Sequence, residues 1–381
     1  MAMNGCPRQI PVAILPDPSE PLPPPRLDLV AYLLAAQTCG ELTEVCKSLR
    51  AGARWSRVAE AALKAAANSS QKLAQMLVAS ATPISDSSVS DINPIRSYFA
   101  VRSAALSAQQ AAAQEAVVIA WGLADLLCAP VERDDLLAEL TAFRAVFQDF
   151  LLNEPSRKSS PVVERKPLSA GSASRGSAAE RWVVGHQVYL MLNVRATTTI
   201  HLALRALNQD RPVDAVKHLT TAAGYVRGFT GAMGHAGAMP GVVYRQKVRP
   251  TMAPPAVSVP LTGRMHKEHR AFRAALTQLL KVCGESATEL ADKDPSLAWA
   301  RMALLEADLA DIQRHVLLAE ALVGEDRSLV QRRDSDSAVR MLREMHLLRE
   351  AQYRSLLAFE DNVVAASLGI ARGRAAAASV W

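Results

Sequence analysis

Apolar positions recur at helical spacing over most of this chain. The clearest run, Pro295 to Val323, places Ala298, Met302, Leu305, Leu309, Ile312, Val316, Ala319 and Val323 at alternating steps of four and three. That rhythm sets them on one face of a helix and predicts a buried stripe. Pro295 opens the segment, and Gly324 follows it as a C-cap. Similar patterning predicts helices over Trp182–Leu207, Val213–Tyr225, Arg264–Val282 and Ser337–Asn362. Ahead of these, Leu27 to Asn153 alternates Ala/Leu-rich periodic stretches with polar breaks such as Ser80–Pro94, and predicts three or four more helices. No segment shows the period-two alternation of a strand. The fold class is therefore all-α, a helical bundle with an N-terminal helical region.

Between the two sets lies Glu154–Arg181, rich in Ser, Pro, Arg and Lys and without apolar periodicity. Such a segment supplies no core and reads as a mobile linker or long surface loop. It divides the chain into residues 1–153, 154–181 and 182–381. The proline-rich start, MAMNGCPRQIPVAILPDPSEPLPPP, lacks the basic onset and apolar run of a signal peptide and reads as an extended lead.

Composition narrows the class. Half of the 381 residues are hydrophobic, 21% are charged and only 5% are aromatic, so Ala, Leu and Val carry the apolar content, as in packed helices. Cys6, Cys39, Cys46, Cys128 and Cys283 are too few and unpatterned for a disulfide scaffold. The net charge of +6 is spread over helices among acids, without a basic run, and aromatics are sparse, which argues against a nucleic-acid partner. The stretch Ala104–Val131 is interrupted by Gln109, Gln110, Gln114, Glu115 and Asp125 and fails as a membrane span. A cytoplasmic protein with reduced thiols follows as the default. All eight histidines fall between His186 and His346.

Those histidines are the candidate chemistry, because phosphate-binding loops, CxxC, HExxH and nucleophile elbows are absent. His266 and His269 in RMHKEHRAF have a spacing that would let both touch one metal, but Arg264, Lys267, Arg270 and Arg273 surround them and predict a solvated basic face. His315 borders the apolar stripe, with Leu304, Leu318 and Leu322 on its side of the helix. A leucine-lined imidazole suits an axial ligand of haem iron. On periodicity alone, however, a core histidine bonded to a carbonyl is the favoured reading. His186, Gln187 and Tyr189 stand together in ERWVVGHQVYLML, while Arg245 and Arg249 stand in VVYRQKVRPTMAPP, where a guanidinium can grip a carboxylate.

Taken in order, these pieces resemble the tryptophan 2,3-dioxygenase and indoleamine dioxygenase superfamily. RWVVGHQVYLMLNVRATTTIHLALRAL resembles its H-Q-x-Y helix, VVYRQKVRPTMAPPAVSVPLTG its arginine loop, and LLEADLADIQRHVLLAEALVG the helix bearing its proximal histidine. The resemblance covers about Arg181 to Gly324. It implies a helical protein binding haem b, with His315 as the axial iron ligand, Leu318 and Leu322 against the cofactor, and His186 as the catalytic distal residue. It further implies that Arg245 holds an amino-acid carboxylate, with Tyr244, Arg249 and Tyr189 lining the substrate pocket, and that the protein is a homo-oligomer. Past Gly324 the chain reads EDRSLVQRRDSDSAV where tryptophan dioxygenases have G-T-G-G-S-S-G, and Thr262 and Gly263 stand in place of the serine-glycine pair. These departures point away from ring opening. The resulting expectation is a divergent haem-dependent oxygenase that uses dioxygen or peroxide on a tryptophan or tyrosine derivative, in natural-product biosynthesis. The alternative is a non-enzymatic helical interaction or scaffold protein, whose partner would take the long stripe. A carboxylate-bridged metal enzyme would need Glu-x-x-His pairs on two helices, which the chain lacks.

Overall fold

The computed structural model describes residues 10–19, 21–51, 56–85, 89–90, 94–156, 177–261, 266–324 and 337–357. Before the linker come helices α1 (Leu29–Arg50), α2 (Arg57–Ser80), α3 (Pro94–Tyr98), α4 (Ala108–Leu126) and α5 (Arg133–Phe150). After it come α6 (Ala178–Asn208), α7 (Pro212–Ala236), α8 (Gly241–Val243), α9 (Lys267–Val282), α10 (Ala287–Lys293), α11 (Pro295–Leu322) and α12 (Ala338–Leu357). A π turn, Tyr244–Val248, and a 3₁₀ turn, Arg249–Met252, continue α8. The architecture is all-α, as the periodicity predicts.

Local chemistry fixes the helix starts. Asp28, Ser56, Ser107, Ser177, Ser286 and Asp294 each accept a backbone N–H of the first turn, and Ser107, Ser177 and Ser286 form capping boxes with Gln110, Glu180 and Glu289. Helix α6 therefore begins inside the segment read as linker, at Ala178 rather than Trp182. The rest of that segment, residues 157–176, lies outside the described residues, as do Thr262, Gly263, Arg264 and the charged stretch 325–336.

One apolar core runs from Ala13 to Leu356, with α7 at its centre against α5, α6 and α11. Helices from both sides of the linker share it. The α11 stripe is buried except for the half-buried Leu309, and it is filled within the chain by α7 and α12; Val316 and Ala319 meet Val339. Val323 is the C-cap, one residue earlier than expected, and Gly324 follows it with φ of 92° and its N–H on the carbonyls of Ala319 and Glu320.

Two expectations are corrected. A small sheet exists, in the order β1 (Ala13–Leu15), β3 (Val101–Ala104), β2 (Val89–Ser90), with β1 parallel to β3 and β2 antiparallel to it. Its strands are too short for alternation to register in sequence. Helix α7 runs on past Tyr225 through Gly228, Gly231 and Gly234, because those glycines let it lie directly on α5. Among the described residues no helix is long and apolar enough to cross a membrane, and Cys39, Cys46, Cys128 and Cys283 are free.

Candidate active site

Helix α6 supplies the first half of a buried aromatic and imidazole cluster. Gly185 allows the close crossing with α7, since a Cβ there would lie 2.6 Å from Ala236 Cβ. The neighbouring His186 points inward, stacked on Phe99 at 4.2 Å between ring centres and 11° between planes, with Trp182 at 4.3 Å. Its Nδ1 lies 2.7 Å from the Trp182 carbonyl, so the proton sits on Nδ1 and the lone pair on Nε2. Burial pushes His186 down to about 3, against the pull of the Trp182 carbonyl. The imidazole is neutral at physiological pH.

One turn on, the Tyr189 hydroxyl donates to His269 Nδ1 at 3.0 Å. The Tyr189 ring meets Phe229 edge-on at 5.4 Å and His315 edge-on at 6.2 Å. Burial raises the Tyr189 hydroxyl and pushes His269 down to about 4.

Helix α11 supplies the second half. His315 Nδ1 donates to the Asp311 carbonyl at 2.9 Å, and the Asp311 carboxylate stands 3.4 Å away, itself accepting from Thr230 Oγ1 at 3.2 Å. Burial by itself lowers His315, but the Asp311 charge and hydrogen bonds more than reverse it. His186 and His315 thus share one arrangement: each ties Nδ1 to the carbonyl four residues earlier and leaves Nε2 free.

The structure brings His186, Tyr189 and His315 into one cluster, and Tyr244 joins it through Trp182 at 5.2 Å. Leu318 and Leu322 lie together over Gly237 at the end of α7. Arg245 stands at that end of α11, where Nη1 donates to the Leu322 carbonyl at 3.1 Å, and half-buried Arg249 lies close enough to Tyr244 for its charge to act on the hydroxyl. His266 and His269 do not form a solvated basic face. His266 is buried and His269 half-buried, because both continue the apolar face of Phe272, Leu276 and Leu279 that packs on α6. The cations lie elsewhere: Arg273 grips both Asp308 oxygens at 2.6 Å.

The sequence model of the SfmD 3-methyl-L-tyrosine peroxygenase family matches residues 14–300. The chain belongs to this family. Membership makes it one of a peroxygenase family named for a methylated tyrosine, and it narrows the expected aromatic oxygenase toward tyrosine chemistry. The match covers α6, the arginine loop and α9 and stops short of His315. The crystal structure of reduced SfmD soaked with sodium hydrosulfite is similar, with a TM-score of 0.49 and 17% identity over 78% of this chain and 96% of that one. No curated protein matches.

Several members of the cluster escape sequence reading. Phe99 and Trp182 carry no motif, and Phe99 reaches the site only through a loop from α3. Asp311 did leave a signal, since a carboxylate four residues before a histidine on a helix can reach its ring. Far along α6, an open cavity of about 300 Å³ is lined by Ser19, His201, Arg205, Asn208 and Gln278. Its residues lie several helical turns from His186.

Proposed function

We propose that the chain is a haem-dependent peroxygenase that oxidises the ring of tyrosine or a ring-substituted tyrosine in natural-product biosynthesis, with peroxide as the oxidant. The observation that carries this reading is the matched pair His186 and His315, two imidazoles with Nδ1 anchored and Nε2 free on one aromatic cluster. Haem fits these residues. Among the described residues no set of three His, Cys, Asp or Glu side chains is placed to hold a metal, whereas haem would ask for only one protein imidazole, since its iron is already ligated by the porphyrin nitrogens. His315 is the ligand in this reading. Its Nδ1–H on the Asp311 carbonyl, backed by the carboxylate, fixes the tautomer and strengthens Nε2 as a donor to iron. Leu318 and Leu322 offer an apolar wall. When bound, haem supplies the redox iron at which peroxide is activated.

The other residues act around that centre. His186 Nε2, neutral and desolvated, takes a proton from peroxide and returns it, as general base and then acid. Trp182 and Phe99 hold its ring by contact. Tyr189 and Tyr244 line the place for the substrate ring, and the bond to His269 fixes the Tyr189 hydroxyl. Purified protein supplied with haem is expected to show a Soret band and to add one oxygen to 3-methyl-L-tyrosine with hydrogen peroxide. His315→Ala should abolish the band or alter the iron's axial ligation. An unchanged spectrum in that variant, or no band in the parent protein, overturns the reading.

A further inference from the structure

At the start of α9 two buried acceptors lack donors. Glu268 gives Oε1 to the guanidinium of Arg96, which is buried on α3 and donates its other terminal nitrogen to Ser103 Oγ at 2.6 Å. Glu268 Oε2 meets no donor although the residue is 1% exposed, and Nδ1 of His266, 5% exposed, meets none either. Buried polar atoms in native folds are paired, so each such exception calls for a partner. An unpaired one costs about 1–3 kcal/mol, and more when charged. Burial holds His266 well below the ordinary histidine range, so its ring is neutral and Nδ1 can present a lone pair. Both atoms therefore ask for the same thing, a donor with several N–H bonds.

Their place is equally specific. The His266 ring stands 5.4 Å from Phe99, 6.3 Å from His186 and 6.5 Å from Tyr189. His266 thus lies one ring's breadth from the cluster that would receive a substrate ring, the separation of ring and backbone in an aromatic amino acid, and Glu268 follows it two residues on at the start of α9. Charge selects further. Arg96 and Glu268 cancel each other, so a bare amine entering here would leave an uncompensated positive charge in a low dielectric. A zwitterion adds one charge of each sign, its ammonium meeting Glu268 and its carboxylate facing the Arg96 side.

We propose that Glu268 Oε2 and His266 Nδ1 accept the ammonium group of a free α-amino-acid substrate, with Arg96 positioning Glu268 and balancing the substrate carboxylate. This extends the proposed ring chemistry to the substrate's backbone and rests on that reading. It also gives the headgroup an anchor other than Arg245, which is engaged on the Leu322 carbonyl.

Calorimetric titration of the purified protein with 3-methyl-L-tyrosine, its N-acetyl derivative and the ring-only methylated cresol tests it. The free amino acid should bind at least about tenfold more tightly than the N-acetyl compound, the loss of a charge-assisted contact. Glu268→Gln should erase that preference. If the variant is poorly folded because the Arg96 charge is stranded, the double variant Arg96→Gln with Glu268→Gln carries no stranded charge and should erase it too. Equal binding of the free and N-acetyl compounds by the unaltered protein overturns the proposal with no variant needed. So does a preference that survives in folded Glu268→Gln but vanishes in Arg245→Gln. Failure of the underlying reading looks different: no Soret band, and no binding even of the ring-only cresol.

Discussion

Gln187, which follows His186, shows how one amide sets the geometry of its neighbour. Its Nε2 reaches the carbonyls of Pro11, Phe99 and Ala100 at 3.0, 3.1 and 3.2 Å. The Ala100 carbonyl also accepts from Ala13 N–H at 2.8 Å, and Ala100 sits at a φ of 50°, so the turn that delivers Phe99 to the His186 ring is held at several points. In Gln187→Leu those buried carbonyls lose a donor at nearly constant volume. The unfolding free energy should fall by about 1–3 kcal/mol in urea titration. Gln187→Glu, which keeps the shape and removes the donor, should fall as far or further. Parent-like stability in both would show that the amide does not hold the turn.

At the scale of elements, the crossing of α7 on α5 decides where α6 and α11 can stand. Cβ atoms at Gly228 and Gly231 would overlap Ala142 and the Asp135 carbonyl, whereas one at Gly224 would meet nothing within 4 Å. Gly228→Ala should therefore force the helices apart and cost roughly 1–3 kcal/mol or more. Gly224→Ala should raise the melting temperature, by helix propensity worth up to about 1 kcal/mol. Opposite shifts in thermal melts check the pair; equal shifts would contradict the packing. These glycines also mark what was legible. The α11 stripe, the Gly324 that closes it and the α6 apolar run could be read directly because burial there follows one helix's own periodicity. The length of α7 could not, since glycine reads as a helix breaker until its partner surface is known. Nor could the inward turn of His266 and His269, because α9 carries cations at i+1 and i+4 that mask its buried face. His186, Tyr189 and His315 were visible as candidates, while Phe99, Arg96 and Glu268 acquire meaning only when α3 meets α9.

For the whole molecule, buried histidines of two kinds set the response to pH. His186 at about 3, His269 at about 4 and His266 well below its ordinary value are held neutral chiefly by burial. Each would bind a proton in the unfolded chain near 6.5 and not in the folded one. Their contribution to stability is present above pH 6.5 and lost as pH falls toward 3 to 4. Asp135, raised by burial to about 6, works in the other direction over part of that range, as do Glu115 and Asp134, while His201 and His218, also lowered by burial, add to the histidine trend. His235 is the opposite kind. Burial lowers it, yet Glu139 and Asp125, at 3.0 and 2.9 Å on its two ring nitrogens, lift it to about 9. As a folded-state pKa raised above the unfolded one, it contributes fully below pH 6.5 and is lost as pH climbs through 9. Urea midpoints should therefore peak near neutrality and fall on both sides, more steeply in acid. His235→Gln should lower the peak, because it takes the charged partner from the buried Glu139 carboxylate while Asp125 keeps Arg181, and should flatten the alkaline side while leaving the acid slope in place. An alkaline slope that persists in that variant would mean the imidazolium between Asp125 and Glu139 is not its source.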